Sequence, residues 1–372
     1  MRAKVVIDAS PVFNPSVGIG RTTLRFIEAL QNFTTPFEYV YFARRMIGRP
    51  LKSALPFACG TVHLRMPRFS EPTIARFHLI ELLCRGDLYH ATDFYLPLGR
   101  KTHAKLVATI HDLIFEISPE KMVDHIRLAK WVRSFAQRCD RIITSSAHSK
   151  DDIVKMYNID PNKIHVIYWG IDREIFKVPQ DKDLVCSKVA KRIACSRPFF
   201  LAVSCSAGRK NTLRLLDAYA RMIPSDPRND LVLVWNPPAD IRDKYSANEY
   251  AARIHFIGRQ TNDELADLNA AATALVYPSL YEGFGLPVVE AMSCGTPVIA
   301  SSTTSLPEVG GDAAVYVDPE EVRSIQEALE LFENRDISLN GIRERSLMQS
   351  ARFSWEECVR QTIDVYRSCL GV

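Results

Sequence analysis

The sequence predicts an α/β protein with two domains, each built around a mostly parallel β-sheet. Its 372 residues exceed what one hydrophobic core usually organises. Short apolar runs rich in β-formers alternate with helical patterns in the first half, and the alternation restarts at Phe199. Alternation of this kind indicates βαβ units. A polar stretch at 180–183 separates the two series, which indicates a linker within residues 170–185.

The first predicted domain covers residues 1–175 and the second covers residues 176–353. The strand candidates of the first domain are residues 5–7, 39–42, 87–89, 106–108 and 141–144. Those of the second domain are residues 199–203, 231–234, 254–256, 274–277 and 298–300. Residues 354–372 carry apolar side chains at helical spacing, so we predict a final helix that packs back on the first domain.

Composition narrows the classes of function. Hydrophobic residues make up 47% of the chain and charged residues 24%, as in ordinary soluble globular proteins. A net charge of +4 is too small for a dedicated nucleic-acid binder. Nine cysteines without a Cys-x-x-Cys pair argue against a zinc site and against a disulfide framework, which favours the reducing cytoplasm. We expect neither a signal peptide nor a transmembrane span, because no apolar run approaches the roughly 20 residues that a bilayer needs.

The segment from Tyr281 to Met292 predicts an anion-binding site after the strand that ends near Tyr277. Its glycine-bearing loop leads to Pro287, which suits the first turn of a helix, so free backbone N–H groups face the loop. Glu282 in the loop and Glu290 one turn into the helix flank that position. Two carboxylates beside a phosphate make sense if they bind hydroxyl groups. A glycine-rich turn followed by solvated glutamates is the alternative.

Arg209 and Lys210 predict a second site for anions in the same domain. They lie in the segment Ser206 to Asn211, directly after the strand that opens the second domain. A guanidinium group offers a planar fork for phosphate and an ammonium group a compact charge, so together they can neutralise a diphosphate. Two solvated charges in a turn are the alternative.

A glycine-bearing segment follows the first strand. Gly18 and Gly20 precede Arg21, which starts a predicted helix. A dinucleotide-binding fingerprint would carry a third small residue where Thr23 stands, so NAD binding is disfavoured. A tight turn between strand and helix is the alternative to a ligand-binding role.

His111 and Asp112 follow the strand at 105–110, at the sheet edge where ligands bind in α/β proteins. A lone histidine is more often structural than catalytic. Asp112 can orient His111 or bind an acceptor, and the sequence leaves both open.

Together these motifs resemble glycosyltransferase family 4, whose members are retaining glycosyltransferases with the GT-B fold. The resemblance is carried by the E-x7-E pattern of Glu282 and Glu290 and by the Arg-Lys-Asn text at 209–211. Segments 168–172, 294–298 and 305–309 extend it over nearly the whole chain, although Trp169 and residues 204–206 depart from the common family text. It implies two Rossmann-like domains that face each other across a cleft, the first binding acceptor and the second binding the nucleotide sugar.

The resemblance also implies roles for single residues. Glu290 would hold the nucleotide ribose, Glu282 would contact the donor sugar, and His111 would face that sugar. The implied catalytic residues are His111, Arg209, Lys210 and Glu282. The implied donor-binding residues are Gly18, Gly20, Arg209, Lys210, Tyr281, Glu282, Gly283, Phe284, Gly285, Leu286 and Glu290. The implied acceptor-binding residues are Gly20, Arg21, His111 and Asp112.

The implied reaction is front-face transfer with retention, without cofactor or metal. Arg209, Lys210 and the loop amides would stabilise the charge of the leaving group. The one Asp-x-Asp, at 181–183, lies in the predicted linker and is interpreted as solvated. The motifs look most like those of bacterial mannosyltransferases that use GDP-mannose to build surface polysaccharide. UDP-glucose and UDP-N-acetylglucosamine are the alternative donors.

Two other classes of function are weighed against transfer. One is an epimerase or dehydrogenase on the same architecture, which Thr23 and the pairing of Arg-Lys with E-x7-E disfavour. The other is a non-catalytic nucleotide-sugar-binding subunit of a partner enzyme, against which the intact Glu282 and Glu290 argue.

Two segments of the first domain mix basic, aromatic and aliphatic residues. They are Arg65 to Arg85, with Arg68, Phe69 and Phe77, and Lys121 to Arg138, with Arg127, Lys130 and Trp131. Such faces can lie on an anionic bilayer, and helices with solvated basic edges are the alternative. We therefore expect a cytoplasmic protein with possible peripheral attachment to the inner face of the membrane, acting on a saccharide or lipid-linked saccharide acceptor.

Overall fold

A computed structural model describes residues 2–13, 18–46, 61–66, 71–76, 78–99, 102–117, 125–245, 252–334 and 339–372. Close approaches between Cα atoms divide the chain into two compact units. The first unit consists of Met1–Gly170 together with Ser354–Val372, and the second of Ile171–Phe353. The break after Gly170 lies a few residues before the boundary predicted after residue 175.

The first unit is built on a seven-stranded sheet of the described residues. Its strands are β1 (Ala3–Asp8), β2 (Phe37–Met46), β3 (Thr61–Met66), β4 (Leu88–Ala91), β5 (Lys105–Thr109), β6 (Arg141–Thr144) and β7 (Ile164–Val166). They are ordered β3-β2-β1-β4-β5-β6-β7, and neighbouring strands run parallel. The helices are α1 (Gly18–Leu30), α2 (Glu71–Arg76), α3 (Leu79–Leu83), α4 (Ile114–Ile117), α5 (His125–Arg138) and α6 (Ala147–Tyr157).

The second unit is built on a six-stranded sheet of the described residues. Its strands are β8 (Phe199–Ala202), β9 (Asp230–Val234), β10 (Ile254–Ile257), β11 (Ala274–Tyr277), β12 (Val298–Ser301) and β13 (Ala314–Val317). They are ordered β10-β9-β8-β11-β12-β13, again with parallel neighbours. The helices are α7 (Lys182–Ile193), α8 (Thr212–Ala220), α9 (Ala239–Tyr245), α10 (Asn262–Ala271), α11 (Leu286–Ser293), α12 (Leu306–Gly310), α13 (Val322–Glu333) and α14 (Leu339–Ser350).

Each unit has its own apolar core between its sheet and its helices. In the first unit Tyr89 and Ile110 belong to a buried cluster that continues through α5 and α6. In the second unit the rings of Phe200 and Phe332 meet edge to face, with centroids 6.5 Å apart, and join β8 to α13. Strands buried on both faces require apolar runs, which is why the sequence pattern revealed them.

The last helix, α15 (Trp355–Leu370), belongs to the first unit. It begins after Ser354, whose hydroxyl oxygen accepts a hydrogen bond from the Glu357 amide at 3.0 Å. Deeper in the unit, the Tyr366 hydroxyl lies 2.6 Å from Nδ1 of His90 on β4. The chain therefore returns to its first sheet after completing the second unit.

The predicted α/β class with parallel sheets is confirmed, and every strand candidate overlaps a strand. The prediction omitted β3, β7 and β13, which are all edge strands. Edge strands need fewer apolar residues, and most side chains of β7 and β13 are only partly buried. The predicted placement of the two domains across a cleft stays a prediction. No helix within the described ranges combines the length and apolarity needed to cross a membrane.

Candidate functional site

The loop between β11 and α11 carries the glycines that lead into the start of a helix. Gly285 precedes α11 with φ of +104°, a backbone conformation that side chains rarely adopt, and a Cβ there would lie 2.6 Å from Leu306 Cδ2. Pro287 lies in the first turn of α11, as predicted. Because the first N–H groups of a helix have no partner within the helix, this loop can bind an anion.

Side chains from the next loop hold the glycine-bearing loop in place. The Ser305 hydroxyl lies 2.9 Å from the carbonyl oxygens of both Glu282 and Phe284. The backbone N–H of Glu282 donates to the Thr304 hydroxyl at 3.3 Å. Phe284 itself is buried, with its ring edge to face against Phe353, so a ligand would meet its backbone rather than its side chain.

Glu282 binds both predicted cations. Its Oε2 lies 2.8 Å from Arg209 Nη1, and its Oε1 accepts from Lys210 Nζ at 2.6 Å and from the Ser279 hydroxyl at 2.5 Å. Glu282 is only 6% exposed. Burial alone would raise the pKa of Glu282, but the charges of Lys210 and Arg209 and the hydrogen bonds outweigh it and lower the pKa. The carboxylate is therefore ionised at neutral pH.

The segment after β8 is fixed against the segment after β11. Arg209 donates from Nη1 to the Tyr281 carbonyl at 2.8 Å. Asn211, which has φ of 57°, donates from Nδ2 to the carbonyl oxygens of Pro278 at 3.0 Å and Pro319 at 2.5 Å. These bonds keep the two basic side chains beside the loop that leads into α11.

The structure places the predicted donor-binding residues of the second unit in one region. Tyr281, Gly283, Phe284, Gly285 and Leu286 form the connection between β11 and α11. Glu290 lies one turn into α11 and is 4% exposed, as the sequence spacing predicted. Three further contributors were missed in the sequence, namely Tyr277, Ser279 and Thr304. Ser279 and Tyr277 sit at the end of a buried strand, which is the only sequence signal that marks them.

In the first unit, His111 lies just beyond β5 and is 8% exposed. Its Nε2 lies 2.9 Å from the Thr92 carbonyl oxygen. A carbonyl can only accept, so Nε2 carries the hydrogen and Nδ1 of the neutral ring is an acceptor. The rings of Phe94 and Trp169 flank the imidazole at centroid distances of 5.6 and 5.4 Å. Burial lowers the pKa of His111 to about 4, so the ring is neutral at physiological pH.

The glycine-bearing segment differs from its prediction. Gly18, Ile19 and Gly20 form the first turn of α1 rather than a loop, so the helix begins three residues before Arg21. The Thr22 hydroxyl donates to the Ile19 carbonyl at 2.9 Å, a bond from a side chain back to the preceding turn. Glycine lowers helix propensity, and tertiary packing of the apolar face of α1 overrides it here.

The start of α1 nevertheless lies near His111. A small cavity of the first unit is lined by Thr22 and Thr23 of α1, by His90, Thr92 and Thr109 of the sheet region, and by His111 and Trp169. Gly20 and Arg21 directly precede the two threonines. Asp112 accepts from the Ile114 amide at 3.1 Å and so begins α4. Of the predicted first-unit residues, His111 lines this cavity, whereas Gly20, Arg21 and Asp112 adjoin residues near it.

A second charged cluster occupies the amino edge of the second sheet. Oδ2 of Asp230 lies 3.0 Å from Nε2 of His255 and 3.5 Å from Sγ of Cys195. Cysteine, histidine and aspartate are zinc-ligand types, although no Cys-x-x-Cys pair or matched histidine spacing in the sequence indicates a zinc site. However, Oδ1 of Asp230 already binds Arg253 Nη1 at 2.9 Å and lies 3.4 Å from Arg197 Nε. We therefore interpret the group as an ion-pair cluster.

Two family models match the chain, one in each half. The family model described as "Glycosyltransferase Family 4" matches residues 18–175, and the model described as "Glycosyl transferases group 1" matches residues 188–347. The chain is 33% identical over 288 residues to O-antigen chain mannosyltransferase B of Escherichia coli, covering 75% of this chain and 74% of that protein. It is 30% identical over 244 residues to O-antigen chain mannosyltransferase RfbU of Salmonella typhimurium, covering 65% and 64%.

Solved structures agree on the fold. Sucrose-phosphate synthase from Thermosynechococcus elongatus superposes with a TM-score of 0.76 at 18% identity, over 100% of both chains. Anabaena Alr3699/HepE in complex with UDP-glucose superposes with a TM-score of 0.74 at 17% identity, over 98% of this chain and 100% of that one. At this level of identity the likeness shows the fold alone.

Proposed function

The chain belongs to the group 1 glycosyltransferases of glycosyltransferase family 4 and is a hexosyltransferase with the GT-B type of α/β fold, and from that premise we propose that it transfers mannose from GDP-mannose. We propose a saccharide or lipid-linked saccharide as acceptor and retention at the anomeric carbon. The observation that carries the proposal is the Glu282 carboxylate with Arg209 and Lys210 beside the start of α11. The mannosyl donor is supported by the similarity of the chain to two O-antigen chain mannosyltransferases.

The second unit would bind the nucleotide diphosphate. Departure of the nucleoside diphosphate places negative charge next to the bond that breaks, and fixed positive groups lower the energy of that state. Arg209, Lys210 and the loop amides from Phe284 to Leu286 offer such groups within one region. An arriving diphosphate would share these cations with Glu282, which could then turn toward the donor sugar.

Glu290 would bind the ribose. It lies on α11 one turn beyond the loop amides, so a nucleotide whose phosphates meet the helix start would place its sugar hydroxyls nearby. A buried carboxylate accepts hydrogen bonds from two adjacent hydroxyl groups well. We propose that no metal is needed, because the positive groups of the protein take the role that a metal ion has in other transferases.

The first unit would contribute His111 to the sugar. Because Nε2 donates to the Thr92 carbonyl, Nδ1 is the nitrogen that can accept a hydrogen bond from a sugar hydroxyl. A neutral ring suits this role, because a protonated imidazole would repel the positive charge that develops on the sugar during transfer. We propose that Gly18, Gly20, Arg21 and Asp112, at the same end of the sheet, shape the position of the donor and acceptor.

Peripheral membrane attachment through α5 is part of the proposal. Ile126 is 61% exposed, and the Arg127 guanidinium lies 4.4 Å from the centre of the Trp131 ring. An exposed helix face with basic, aromatic and aliphatic side chains suits an anionic bilayer, where a lipid-linked acceptor would lie. In the other predicted segment, Arg65 to Arg85, the residues Arg68, Phe69 and Phe77 lie outside the described residues.

Thermal unfolding with GDP, UDP and ADP and their sugar conjugates tests the donor. A ligand that binds only the native state raises its stability, by about 2.7 kcal/mol at a hundredfold excess over Kd. We expect GDP and GDP-mannose to raise the melting temperature and Arg209→Ala to abolish that rise. A matched control is Lys188→Ala, which removes an exposed ion pair with Asp267 and should leave the rise intact.

Each other outcome points elsewhere. A rise with UDP conjugates only would replace the donor by UDP-glucose or UDP-N-acetylglucosamine. Binding without sugar transfer to any lipid-linked or free saccharide would indicate a non-catalytic subunit. Flotation with anionic vesicles tests α5 separately. Equal recovery of the wild type and of the double variant Lys130→Ala/Trp131→Ala would contradict membrane attachment through α5.

A further inference from the structure

Lys210 has a flexible stem of four carbons, so its neighbours decide where its charge stays. The side chain is 12% exposed. Its Nζ donates to Oε1 of Glu282 at 2.6 Å and makes a short hydrogen bond to the hydroxyl of Tyr277. Nζ also lies 4.7 Å from the centre of the Tyr277 ring, within the range of a cation–π interaction. Tyr277 thus contacts the ammonium group in two ways.

Tyr277 is well suited to hold a flexible cation. It is the last residue of β11, a strand hydrogen-bonded to β8 on one side and to β12 on the other, and it is 2% exposed. Its side chain has only two rotatable bonds, so burial fixes the position of its oxygen. Burial, together with the charge of Glu282, raises the pKa of Tyr277 well above its usual value. The phenol therefore stays neutral and its oxygen can accept from Lys210.

The contact between Glu282 and Lys210 differs from the contacts of Tyr277, because Glu282 has other partners. The same carboxylate also carries Arg209 and the Ser279 hydroxyl. Under the proposed function it contacts the donor sugar, and the diphosphate competes with it for the ammonium group. Tyr277 itself is assigned no contact with the donor, so its hydroxyl and its ring face can stay on Lys210 while the contact between Lys210 and Glu282 changes.

We propose that Tyr277 is a positioning residue that directs the Lys210 ammonium group toward the diphosphate leaving group, through both its hydroxyl and its ring face. The inference rests on the proposed function and deepens it. Charge on the leaving group grows in the transition state, so misplacing Lys210 should lower kcat more than it weakens donor binding. A merely structural tyrosine would not produce that split.

The test compares Tyr277→Phe, which keeps the ring, with Tyr277→Leu, which removes ring and hydroxyl. We expect kcat to fall about tenfold in the first variant and about a hundredfold in the second, with the donor KM changed less than about threefold. The matched control is Tyr219→Phe, because Tyr219 is fully buried in the same unit and donates to the Asn229 carbonyl at 2.6 Å. This control should lower the melting temperature but keep kcat.

A double-mutant cycle identifies Lys210 as the route of the effect. In a Lys210→Ala background, Tyr277→Phe should lower kcat by less than about twofold, because the group it positions is gone. The inference is overturned if Tyr277→Phe keeps the wild-type kcat, or if it lowers kcat equally in both backgrounds. Inactive wild-type protein with every donor would instead refute the proposed function, so the two failures are distinguishable.

Discussion

Two buried carboxylates in the second unit bind basic side chains, and they lie at opposite edges of one sheet. At the carboxyl edge, Glu282 pairs with Arg209 and Lys210 at 2.8 and 2.6 Å. At the amino edge, Asp230 pairs with Arg253 at 2.9 Å, and both partners are nearly inaccessible to solvent. Both clusters pair a carboxylate with basic side chains, yet we propose a ligand site at Glu282 alone.

The difference lies in what surrounds each pair. Arg209 keeps 31% of its side chain exposed and stands beside a glycine-bearing loop that opens into a helix. The Arg253 side chain is 9% exposed and pairs with both Asp226 and Asp230, so its charge is neutralised within the protein. A buried ion pair by itself therefore does not indicate function. An ion pair at the carboxyl edge of a parallel sheet, next to the start of a helix, is the arrangement from which we propose a ligand site.

The largest expected effect is a loss of stability when the ion pair at the amino edge is broken. Arg253→Ala leaves Asp230 buried with its main partner removed, and breaking such a pair costs about 3 to 5 kcal/mol of unfolding free energy. Urea unfolding followed by circular dichroism measures this, with Arg197→Ala as control, because Arg197 is 42% exposed and should cost about 1 kcal/mol or less. Loss of sugar transfer beyond the loss of folded protein would contradict the purely structural role of this cluster.

The next effect is on catalysis at the other edge. Lys210→Ala removes a fixed positive group beside the leaving group, so kcat should fall about a hundredfold to a thousandfold. Glu282 keeps Arg209 and Ser279 as partners, so the unfolding free energy should change by about 1 kcal/mol at most. Steady-state kinetics and urea unfolding of the same preparation test both statements. A large loss of stability with unchanged kcat would reverse the assignment of the two clusters.

The smallest effect is a pH dependence that belongs to the amino edge alone. Hydrogen bonds to Asp230 and Cys195 raise the pKa of His255 from 6.5 to about 9. The protonated form is thus favoured by folding, and its contribution is complete below pH 6.5 and is lost as the pH rises through about 9. The stability gap between wild type and His255→Gln should shrink across that window. A gap that stays constant to pH 10 would show that the proton does not stabilise the fold.

Much of the site was predictable because each motif is local. The spacing of Glu282 and Glu290 predicted a loop followed by a helix, and Pro287 marked the first turn. The pairing of Glu282 with both Arg209 and Lys210 was not predicted. It arises because β8 lies next to β11, two strands that are not consecutive along the chain.

Other features were hidden because their residue types are ordinary in their local setting. In the sequence, Tyr277 looks like any buried strand residue. Its contact with Lys210 is visible only in the structure. Gly18 and Gly20 were expected in a loop, yet packing of α1 draws them into the helix. Cys195, Asp230 and His255 meet although no spacing connects them.

The sequence by itself determined the class of the fold, the positions of its main strands along the chain and the chemical character of the loops that follow them. These properties depend on periodicity, glycine and proline positions and charge, which are local along the chain. Tertiary structure alone decided which loops became neighbours, which carboxylate held the cations and which buried tyrosine touched them. Such choices follow from strand order and long-range packing, and residues far apart in the sequence carry no local pattern that encodes them.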